Sequence, residues 1–307
     1  MAVPRNEAGD QAWEFYALKS MEKRRPAPYN TPMTAFVKMH GLGNDFVVFD
    51  ARDAAINLTA AHARAVANRH FGVGCDTVAL IRPGGAETDA GVVFYNADGS
   101  ESEACFNATR CVARFLLDER GLARVKLSTK GGLMVCSDAG KDAVTVDVGA
   151  PRLDWKEVPL AREVDTTNFL IEVGGASVPA SAVSMGNPHC VLFVPDAAAA
   201  PLAGLGPRIE NLPLFPNRTN VEFAQVLDQA RIRMRVWERG VGETLACGSG
   251  ACATAVAAIR RGLTGRKVEL MLDGGSLMIE WRQADGHVLM TGPTAAPFRG
   301  RLDLDKL

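Results

Sequence analysis

The chain has 307 residues, of which 47% are hydrophobic and 22% are charged, and its 34 basic and 35 acidic side chains leave a formal net charge of -1. This composition is typical of a globular protein, and the length is sufficient for two domains of ordinary size. The near-neutral charge argues against a nucleic-acid-binding protein, because binding to phosphates usually needs a basic excess.

The first 33 residues differ in composition from the rest of the chain. They contain four prolines and a basic cluster at 23–25, and we predict a flexible N-terminal extension over residues 1–33, before a core that begins near Met33. The sequence shows neither a signal-peptide core nor a segment as long as a membrane span. We therefore expect a cytoplasmic protein with no membrane partner.

The first half of the core begins with a strand, a glycine-containing turn and a second strand within residues 36–50. Further strands are predicted over residues 78–82, 91–95, 133–136 and 143–147. Apolar side chains over residues 106–120, followed by Gly121, predict a helix with a C-terminal glycine cap.

The second half shows a similar order of predicted elements. An apolar run predicts a strand over residues 190–194, and alternating side chains predict another over 232–237. An alanine-rich helix is predicted over residues 249–261, with Gly262 ending it.

An internal repeat relates the two halves. An offset of 142 residues matches Glu101 with Glu243, Ala104 with Ala246, and Cys105 with Cys247. Asn44 and Asn187 precede apolar strands, 61 and 60 residues before these cysteines. We therefore predict two copies of one domain, with a boundary near residue 150.

The repeat places two cysteines in the same local setting. In each copy a polar loop ends in Ala-Cys and a helix follows at once, so Cys105 and Cys247 are predicted at helix N-termini. Unpaired N–H groups and the helix dipole stabilise anions there, which predicts a lowered thiol pKa and a seat for a substrate carboxylate. Across a cleft between the domains, one thiolate could remove a proton from a stereocentre while the opposite thiol delivers one. The pattern therefore predicts a cofactor-independent amino-acid epimerase whose domains close to exclude water.

Metal and disulfide chemistry are not indicated by the cysteine pattern. None of the seven cysteines forms a Cys-x-x-Cys pair or lies beside metal-spaced histidines. We expect no metal and no cofactor. Outside the repeat, five cysteines are interpreted as buried structural residues, since free cysteine is among the most buried residue types; they are Cys75, Cys111, Cys136, Cys190 and Cys252.

Several long segments resemble diaminopimelate epimerase, and the likeness runs from about Met33 to the C-terminus. The segments are residues 38–46, 96–101, 186–189, 217–223 and 238–251. The resemblance implies an α/β (α+β) fold of two pseudo-symmetric domains, each a curled, mostly antiparallel sheet around a central helix. The last strand of the family crosses back to the first domain, so the domains expected here are 34–150 plus 293–307, and 151–292.

The resemblance also implies an activity and a set of catalytic residues. The activity is the pyridoxal-independent interconversion of LL- and meso-2,6-diaminopimelate, in the bacterial route to lysine and peptidoglycan. By the resemblance, Cys105 and Cys247 are the acid/base pair, and His189 and Glu238 lie beside them and assist proton transfer or orient the substrate.

A larger set of residues is implied to bind the substrate. Asparagine and arginine side chains would hold the distal amino-carboxylate, and backbone groups at the two helix N-termini would hold the reacting carboxylate. The set is Asn44, Thr77, Asn96, Phe106, Asn107, Asn187, Asn220, Glu238, Arg239, Gly248 and Ser249.

Two positions depart from the family pattern. Phe106 follows Cys105 where the family usually has glycine, and Thr77 stands where glutamine is common. These departures keep two alternatives open: an epimerase or racemase of the same fold that acts on another amino acid, and a non-catalytic paralogue that binds an amino acid or a partner protein. A homodimer is also left open.

Overall fold

The computed structural model describes residues 33–102, 105–140 and 142–307. The predicted extension over residues 1–33 therefore lies outside the described residues, except for Met33, and so does Ala104 of the repeat. The described ranges contain four α-helices, which are α1 (Ala60–Ala67), α2 (Phe106–Arg120), α3 (Leu202–Glu210) and α4 (Gly248–Arg260), and a final 3-10 helix, Leu304–Lys306. No helix in these ranges has the length and apolar character needed to cross a membrane.

Eighteen strands make up most of the described chain. The first nine are β1 (Thr34–Gly41), β2 (Asn44–Asp50), β3 (Thr77–Pro83), β4 (Ala90–Asn96), β5 (Glu101–Ser102), β6 (Arg124–Thr129), β7 (Gly132–Asp138), β8 (Ala143–Asp147) and β9 (Phe169–Val173). The remaining strands are β10 (Ala176–Ser184), β11 (Pro188–Phe193), β12 (Asn220–Asp228), β13 (Arg231–Glu238), β14 (Gly242–Thr244), β15 (Lys267–Leu272), β16 (Gly275–Trp281), β17 (Val288–Pro293) and β18 (Ala295–Leu302).

The strands of the two halves pair in the same pattern. β1 pairs antiparallel with β2, β2 parallel with β3, β3 antiparallel with β4, and β4 parallel with β6, after which β7 and β8 add antiparallel strands. Strands β10 to β17 repeat every one of these pairings in the same order and sense. The predicted fold class, two similar α/β units with mostly antiparallel sheets, is confirmed.

The two remaining long strands, β9 and β18, each pair with the first strand of one of these two repeated patterns. β9 pairs with β10, and β18 returns along the chain to pair with β1, from Thr34 opposite Leu302 to His40 opposite Ala295. β8 and β17 also pair with each other, so the two sheets are joined. On this pattern we propose domains of 34–150 plus 293–307, and 151–292.

The two central helices lie against their own sheets and are largely buried. α2 contacts β1, β2, β3, β6, β7 and β8, and α4 contacts the corresponding strands of the second half. Apolar and small side chains on all sides explain why most of α4 can be enclosed, whereas α2 buries mainly its N-terminal half and exposes charged residues at its C-terminal end. The predicted bounds of α2 are confirmed, with Gly121 in the left-handed conformation (φ 62°) as its cap. The predicted bounds of α4 differ by one residue at each end, because Arg261 and not Gly262 is the C-cap.

Helices α1 and α3 are absent from the sequence prediction. α1 is short, and α3 contains Pro207 and two glycines, which disfavour a helix by propensity. One of these glycines is needed for packing, since a Cβ at Gly206 would lie only 2.6 Å from Trp237 Cγ. Tertiary packing of α3 on the Trp237 ring thus outweighs its weak propensity.

Candidate active site

Cys105 and Cys247 are the N-cap residues of the two central helices. Both have extended backbone dihedrals, φ −135° and ψ 99° for Cys105, and φ −119° and ψ 111° for Cys247. The Cys247 thiol accepts a hydrogen bond from the backbone N–H of Gly250 at 3.4 Å. The sulfur atoms therefore stand where the first turn of each helix directs its unpaired N–H groups.

The N-termini of α2 and α4 touch each other. Asn107 Nδ2 donates to the carbonyl oxygen of Ala246, the residue before Cys247, at 3.3 Å. A Cβ at Gly248 would lie 3.2 Å from the Cβ of Phe106 and 3.2 Å from Asn107 Oδ1. The residues that follow the two cysteines are thus in contact across the halves, and glycine at 248 makes room for phenylalanine at 106.

The carboxylate of Glu238, at the end of β13, acts on both thiols. It raises the pKa of Cys105 and of Cys247, and it is hydrogen-bonded to the Cys247 side chain. The Thr244 hydroxyl donates to Glu238 Oε1. Burial raises the pKa of Glu238 itself, and the Thr244 hydrogen bond and the charge of His189 oppose this effect.

The prediction that the helix N-termini lower the pKa of both thiols is wrong in its net sign. Burial is the largest influence, and it raises the pKa of Cys105 and, further, that of Cys247. The backbone N–H groups of Ala108 and Gly250 do lower these pKa values, as expected at helix N-termini, but desolvation outweighs them. Burial therefore favours the protonated thiol form of both cysteines over the thiolate form.

Four predicted binding residues form two equivalent contacts beside the thiols. In the first half, Asn107 Nδ2 donates to Asn44 Oδ1 at 3.2 Å. In the second half, Asn187 Nδ2 donates to Ser249 Oγ at 3.3 Å, and that oxygen lies 3.5 Å from the Cys247 sulfur. Each asparagine that precedes a buried strand thus contacts the second residue of the central helix.

Thr77 and Asn96 lie opposite each other at adjacent ends of β3 and β4. A hydrogen bond from Thr77 lowers the pKa of Cys105, so this hydroxyl reaches the first thiol. The exposed Asn96 side chain donates to Ser100 Oγ at 3.0 Å. Both residues therefore stand at the Cys105 side of the candidate site.

Asn220 and Arg239 are joined at the Cys247 side. Asn220 Oδ1 accepts from the backbone N–H of Arg239 at 2.9 Å, and its Nδ2 donates to the carbonyl of Pro188 at 2.9 Å. The Arg239 guanidinium donates to the carbonyl of Asn217 at 3.2 Å. A backbone group thus holds each end of the Asn220 amide, whose second N–H and second oxygen lone pair would suffice for a contact with a substrate.

His189 lies on β11 with both ring nitrogens facing oxygen atoms. Its Nδ1 is 2.6 Å from Glu222 Oε1, and its Nε2 is 3.0 Å from Asn187 Oδ1. His189 and Glu222 are both fully buried, with 0% exposure. Glu222 is absent from the sequence-predicted site, although an acidic residue between Val221 and Phe223 in a buried strand was the available signal.

Arg110 is a second residue that the sequence prediction omits. It is fully buried on α2, and Nη1 lies 3.5 Å from Met290 Sδ, while Nε and Nη2 have no hydrogen-bond partner among the described residues. Its positive charge lowers the pKa of Cys105 and of Cys252. A basic residue on the buried face of a predicted helix was the only sequence signal.

A separate group of ionisable side chains lies on β8 and in the segment before β17. Ligand atoms of Asp147, Asp285 and His287 lie within 4.8 Å of one another. The Arg282 guanidinium contacts Asp147 at 3.0 Å and Asp285 at 2.5 Å. The single positive charge of Arg282 therefore offsets part of the charge of the two carboxylates, and the cluster is an ion-pair network in the structure.

Comparisons with known proteins converge on one family. A family model described as diaminopimelate epimerase matches residues 36–153 and 181–296. A diaminopimelate epimerase of Rhodospirillum centenum is 56% identical over 268 residues, covering 87% of this chain and 91% of the relative. One from Phenylobacterium zucineum is 53% identical over 270 residues, covering 87% of this chain and 97% of the relative. The resemblance inferred from the sequence is confirmed.

Solved structures of lower sequence similarity share the fold. A probable proline racemase of Agrobacterium radiobacter K84 aligns with a TM-score of 0.64 at 15% identity, covering 89% of this chain and 94% of that structure. A hydroxyproline epimerase of Agrobacterium vitis aligns with a TM-score of 0.63 at 16% identity, covering 89% of this chain and 93% of that structure. At these identities the likeness concerns the architecture of the two paired sheets.

Proposed function

The chain belongs to the diaminopimelate epimerase family, and we propose that it interconverts LL- and meso-2,6-diaminopimelate by moving the α-proton between Cys105 and Cys247, without pyridoxal phosphate. The observation that carries this proposal is the placement of two thiols as N-caps of helices whose first residues touch. Equivalent groups on two sides of one site suit inversion of a stereocentre.

In the proposed reaction one cysteine acts as a base and the other as an acid. The thiolate takes the α-proton and becomes a thiol, while the opposite thiol gives its proton to the other face of the α-carbon and becomes a thiolate. The roles exchange for the reverse reaction, so protons and charge balance in each turnover. Backbone N–H groups at Asn107, Gly248 and Ser249 stabilise the carboxylate as the carbanion acquires enolate character.

Burial of the thiols supports proton transfer in a site that excludes water. Burial raises the pKa of both thiols, which makes each thiolate a stronger base toward the α-proton, and a closed site keeps solvent away from the carbanion. Glu238, which acts on both sulfur atoms, and His189 are proposed to assist proton transfer. Asn44, Asn187 and Arg239 are proposed to hold the substrate, with Thr77, Asn96, Phe106 and Asn220 forming the surrounding surface.

The location and assembly of the protein are further parts of the proposal. By the resemblance we propose a cytoplasmic protein that acts on a small amino-acid substrate and forms a homodimer. Light scattering of the purified protein, coupled to size-exclusion chromatography, tests the homodimer. A mass equal to that of one chain would contradict it.

The activity is tested by incubation with LL-diaminopimelate in heavy water. We expect the meso isomer to form with deuterium at the inverted α-carbon, as measured by mass spectrometry and chiral chromatography. Pyridoxal-phosphate scavengers should have no effect. Neither exchange nor inversion by a folded, reduced sample would contradict the proposal.

One observation favours a second candidate function, epimerisation of another amino acid. The buried Phe106 places a phenyl group beside Cys105, where the family usually has glycine. A panel of amino acids in the same exchange assay decides between the two. Deuterium incorporation into another amino acid, with none into diaminopimelate, would establish the second candidate.

A further inference from the structure

A buried acid–base pair, His189 and Glu222, lies behind the second thiol, and Glu222 has no role in the proposed reaction. His189 on β11 and Glu222 on β12 are each 0% exposed, and their closest nitrogen and oxygen are 2.6 Å apart. Glu222 Oε2 has no hydrogen-bond partner among the residues that the structure describes. Burying such a pair is costly, since desolvation of two charged groups can exceed their attraction.

Glu222 also packs against the first turn of α4. A Cβ at Gly250 would lie 2.8 Å from Glu222 Oε1 and 3.3 Å from the Cys247 sulfur. Glycine at 250 therefore lets the carboxylate approach the same turn whose N–H contacts Cys247. The charge of Glu222 is one of the influences that raise the pKa of Cys247 and of the neighbouring Cys190.

The equivalent place in the first half is apolar. Phe46 lies opposite Thr77 in the parallel pair β2–β3, as His189 lies opposite Asn220 in β11–β12. Two residues beyond these partners stand Ala79 and Glu222, so the counterpart of His189 and Glu222 is Phe46 and Ala79, also fully buried. The scaffold therefore accepts an apolar pair at this position, and the fold alone does not require the charged one.

The two ring nitrogens of His189 lie between two oxygen atoms, an arrangement that a doubly protonated ring satisfies with two donated hydrogen bonds. Nδ1 faces a carboxylate oxygen and Nε2 faces the Asn187 amide oxygen, and only the doubly protonated ring donates to both. The Glu222 carboxylate would balance the positive charge of an imidazolium at this position. That charge would also oppose the effect of burial, which raises the pKa of Glu238. Cys247 and Cys190 are the other titratable groups near the pair.

We propose that Glu222 is a positioning residue: it holds His189 as an oriented imidazolium beside Glu238 and Cys247, and so makes the acid/base environment of the second thiol different from that of the first. The inference rests on the proposed function, because its catalytic consequence concerns proton transfer by Cys247. The protonation state of His189 does not depend on the substrate and is measured separately.

Nitrogen NMR of isotope-labelled histidine tests the protonation state directly. The protein has five histidines, and the signal missing from the double variant His189→Phe/Glu222→Ala identifies His189. We expect both ring nitrogens of His189 to show imidazolium shifts at neutral pH in the wild-type protein. We expect the neutral pattern in Glu222→Gln. A neutral His189 in the wild-type protein would overturn the proposal, whether or not the protein acts on diaminopimelate.

Steady-state kinetics test the consequence for proton transfer by Cys247. For Glu222→Gln we expect kcat to fall about 100-fold, within the range of positioned acid/base groups, with KM unchanged and the pH profile of kcat altered. Asp147→Asn is the matched control, since Asp147 Oδ1 lies 2.8 Å from His287 Nδ1 in the partly exposed ion-pair network. The control should keep wild-type kcat and pH profile.

The double variant separates folding from positioning. His189→Phe/Glu222→Ala copies the first-half pair Phe46 and Ala79, so we expect it to fold with wild-type thermal stability or better and to lose activity. If Glu222→Gln keeps wild-type kcat and pH profile while wild-type activity is present, the positioning role is refuted. If the double variant keeps activity, the pair is dispensable and the proposal is likewise overturned.

Discussion

Cys105 and Cys247 occupy equivalent N-cap positions, yet their surroundings differ. Burial and the charge of Glu238 raise the pKa of both thiols, but the buried guanidinium of Arg110 opposes this at Cys105, whereas Glu222 raises the pKa of Cys247 further. The repeated domain thus supplies two equivalent N-cap thiols, and the residues around them supply different charges. In the proposed reaction, the two proton transfers would therefore rest on different supporting residues.

The largest expected effect comes from removing either thiol. Cys105→Ala and Cys247→Ala should each lower kcat about 10⁴-fold in both directions, because each direction needs one base and one acid. Cys111→Ala and Cys252→Ala, on the same two helices, are the controls and should keep activity. If either Cys105→Ala or Cys247→Ala keeps wild-type activity, the two cysteines do not have equivalent roles in the reaction.

The next largest loss of activity is expected from replacing Glu238, because its charge raises the pKa of both thiols. Glu238→Gln should lower kcat about 100-fold. Burial raises the pKa of Glu238, so on acidification it takes up a proton at a higher pH than an ordinary glutamate, and its charge is present only above that pH. The acid limb of kcat/KM should therefore lie above the usual carboxyl range and disappear in the variant.

The neighbouring Glu243 on β14 provides the control for this acid limb. It is exposed, and Glu243→Gln should leave the pH profile unchanged. An identical acid limb in wild-type protein and Glu238→Gln would show that another group sets it.

A smaller effect, which concerns Cys105 and not Cys247, is expected from replacing Arg110. Burial raises the pKa of Cys105 and the positive charge of Arg110 opposes this effect. In Arg110→Met the Cys105 thiolate should therefore form only at higher pH, and activity at neutral pH should fall by less than in Glu238→Gln. Raising the pH should restore the rate. Thermal stability should stay equal or rise, because a buried guanidinium with unpartnered nitrogens is replaced by an apolar side chain.

Arg260→Met at the far end of α4 is the control for the Arg110 experiment. It removes a partly buried arginine of the other central helix and should not move the pH profile. A profile of Arg110→Met that matches the wild-type profile would contradict the assigned influence on Cys105.

The smallest effect concerns packing where the two helices meet. Gly248→Ala should destabilise the fold by about 1–3 kcal/mol, the usual cost of overpacking, because its Cβ would lie 3.1 Å from Met290 Sδ and 3.2 Å from Phe106 Cβ. Phe106→Gly should relieve part of this cost. Chemical denaturation of both single variants and the double variant measures the coupling, and additive free energies of unfolding would show that Phe106 and Gly248 do not compensate each other.

The sequence predicts the parts of this site that depend on local pattern. Helix α2 follows from its apolar residues and Gly121, and the N-cap positions of Cys105 and Cys247 follow from an abrupt change from polar loop to helix. The return of β18 to β1 came only from the family resemblance, since no local pattern specifies a partner so distant in the chain.

Features that depend on tertiary packing were not predicted. His189 and Glu222 are 33 residues apart and meet only because β11 and β12 pair in parallel. The sign of the thiol pKa shifts was predicted wrongly, because the helix N-terminus is visible in the sequence and the burial that outweighs it is not. Arg110 was missed for the same reason.

The central claim is that two thiols serve one α-carbon from opposite faces. The most direct test is the early time course of LL-diaminopimelate conversion in heavy water, with deuterium measured separately in substrate and product. We predict that the first meso product carries solvent deuterium at the inverted carbon while the remaining LL substrate stays protiated, because the delivering thiol has exchanged with solvent. Product that retains the substrate's own proton would show that a single base acts on both faces, and would contradict the account.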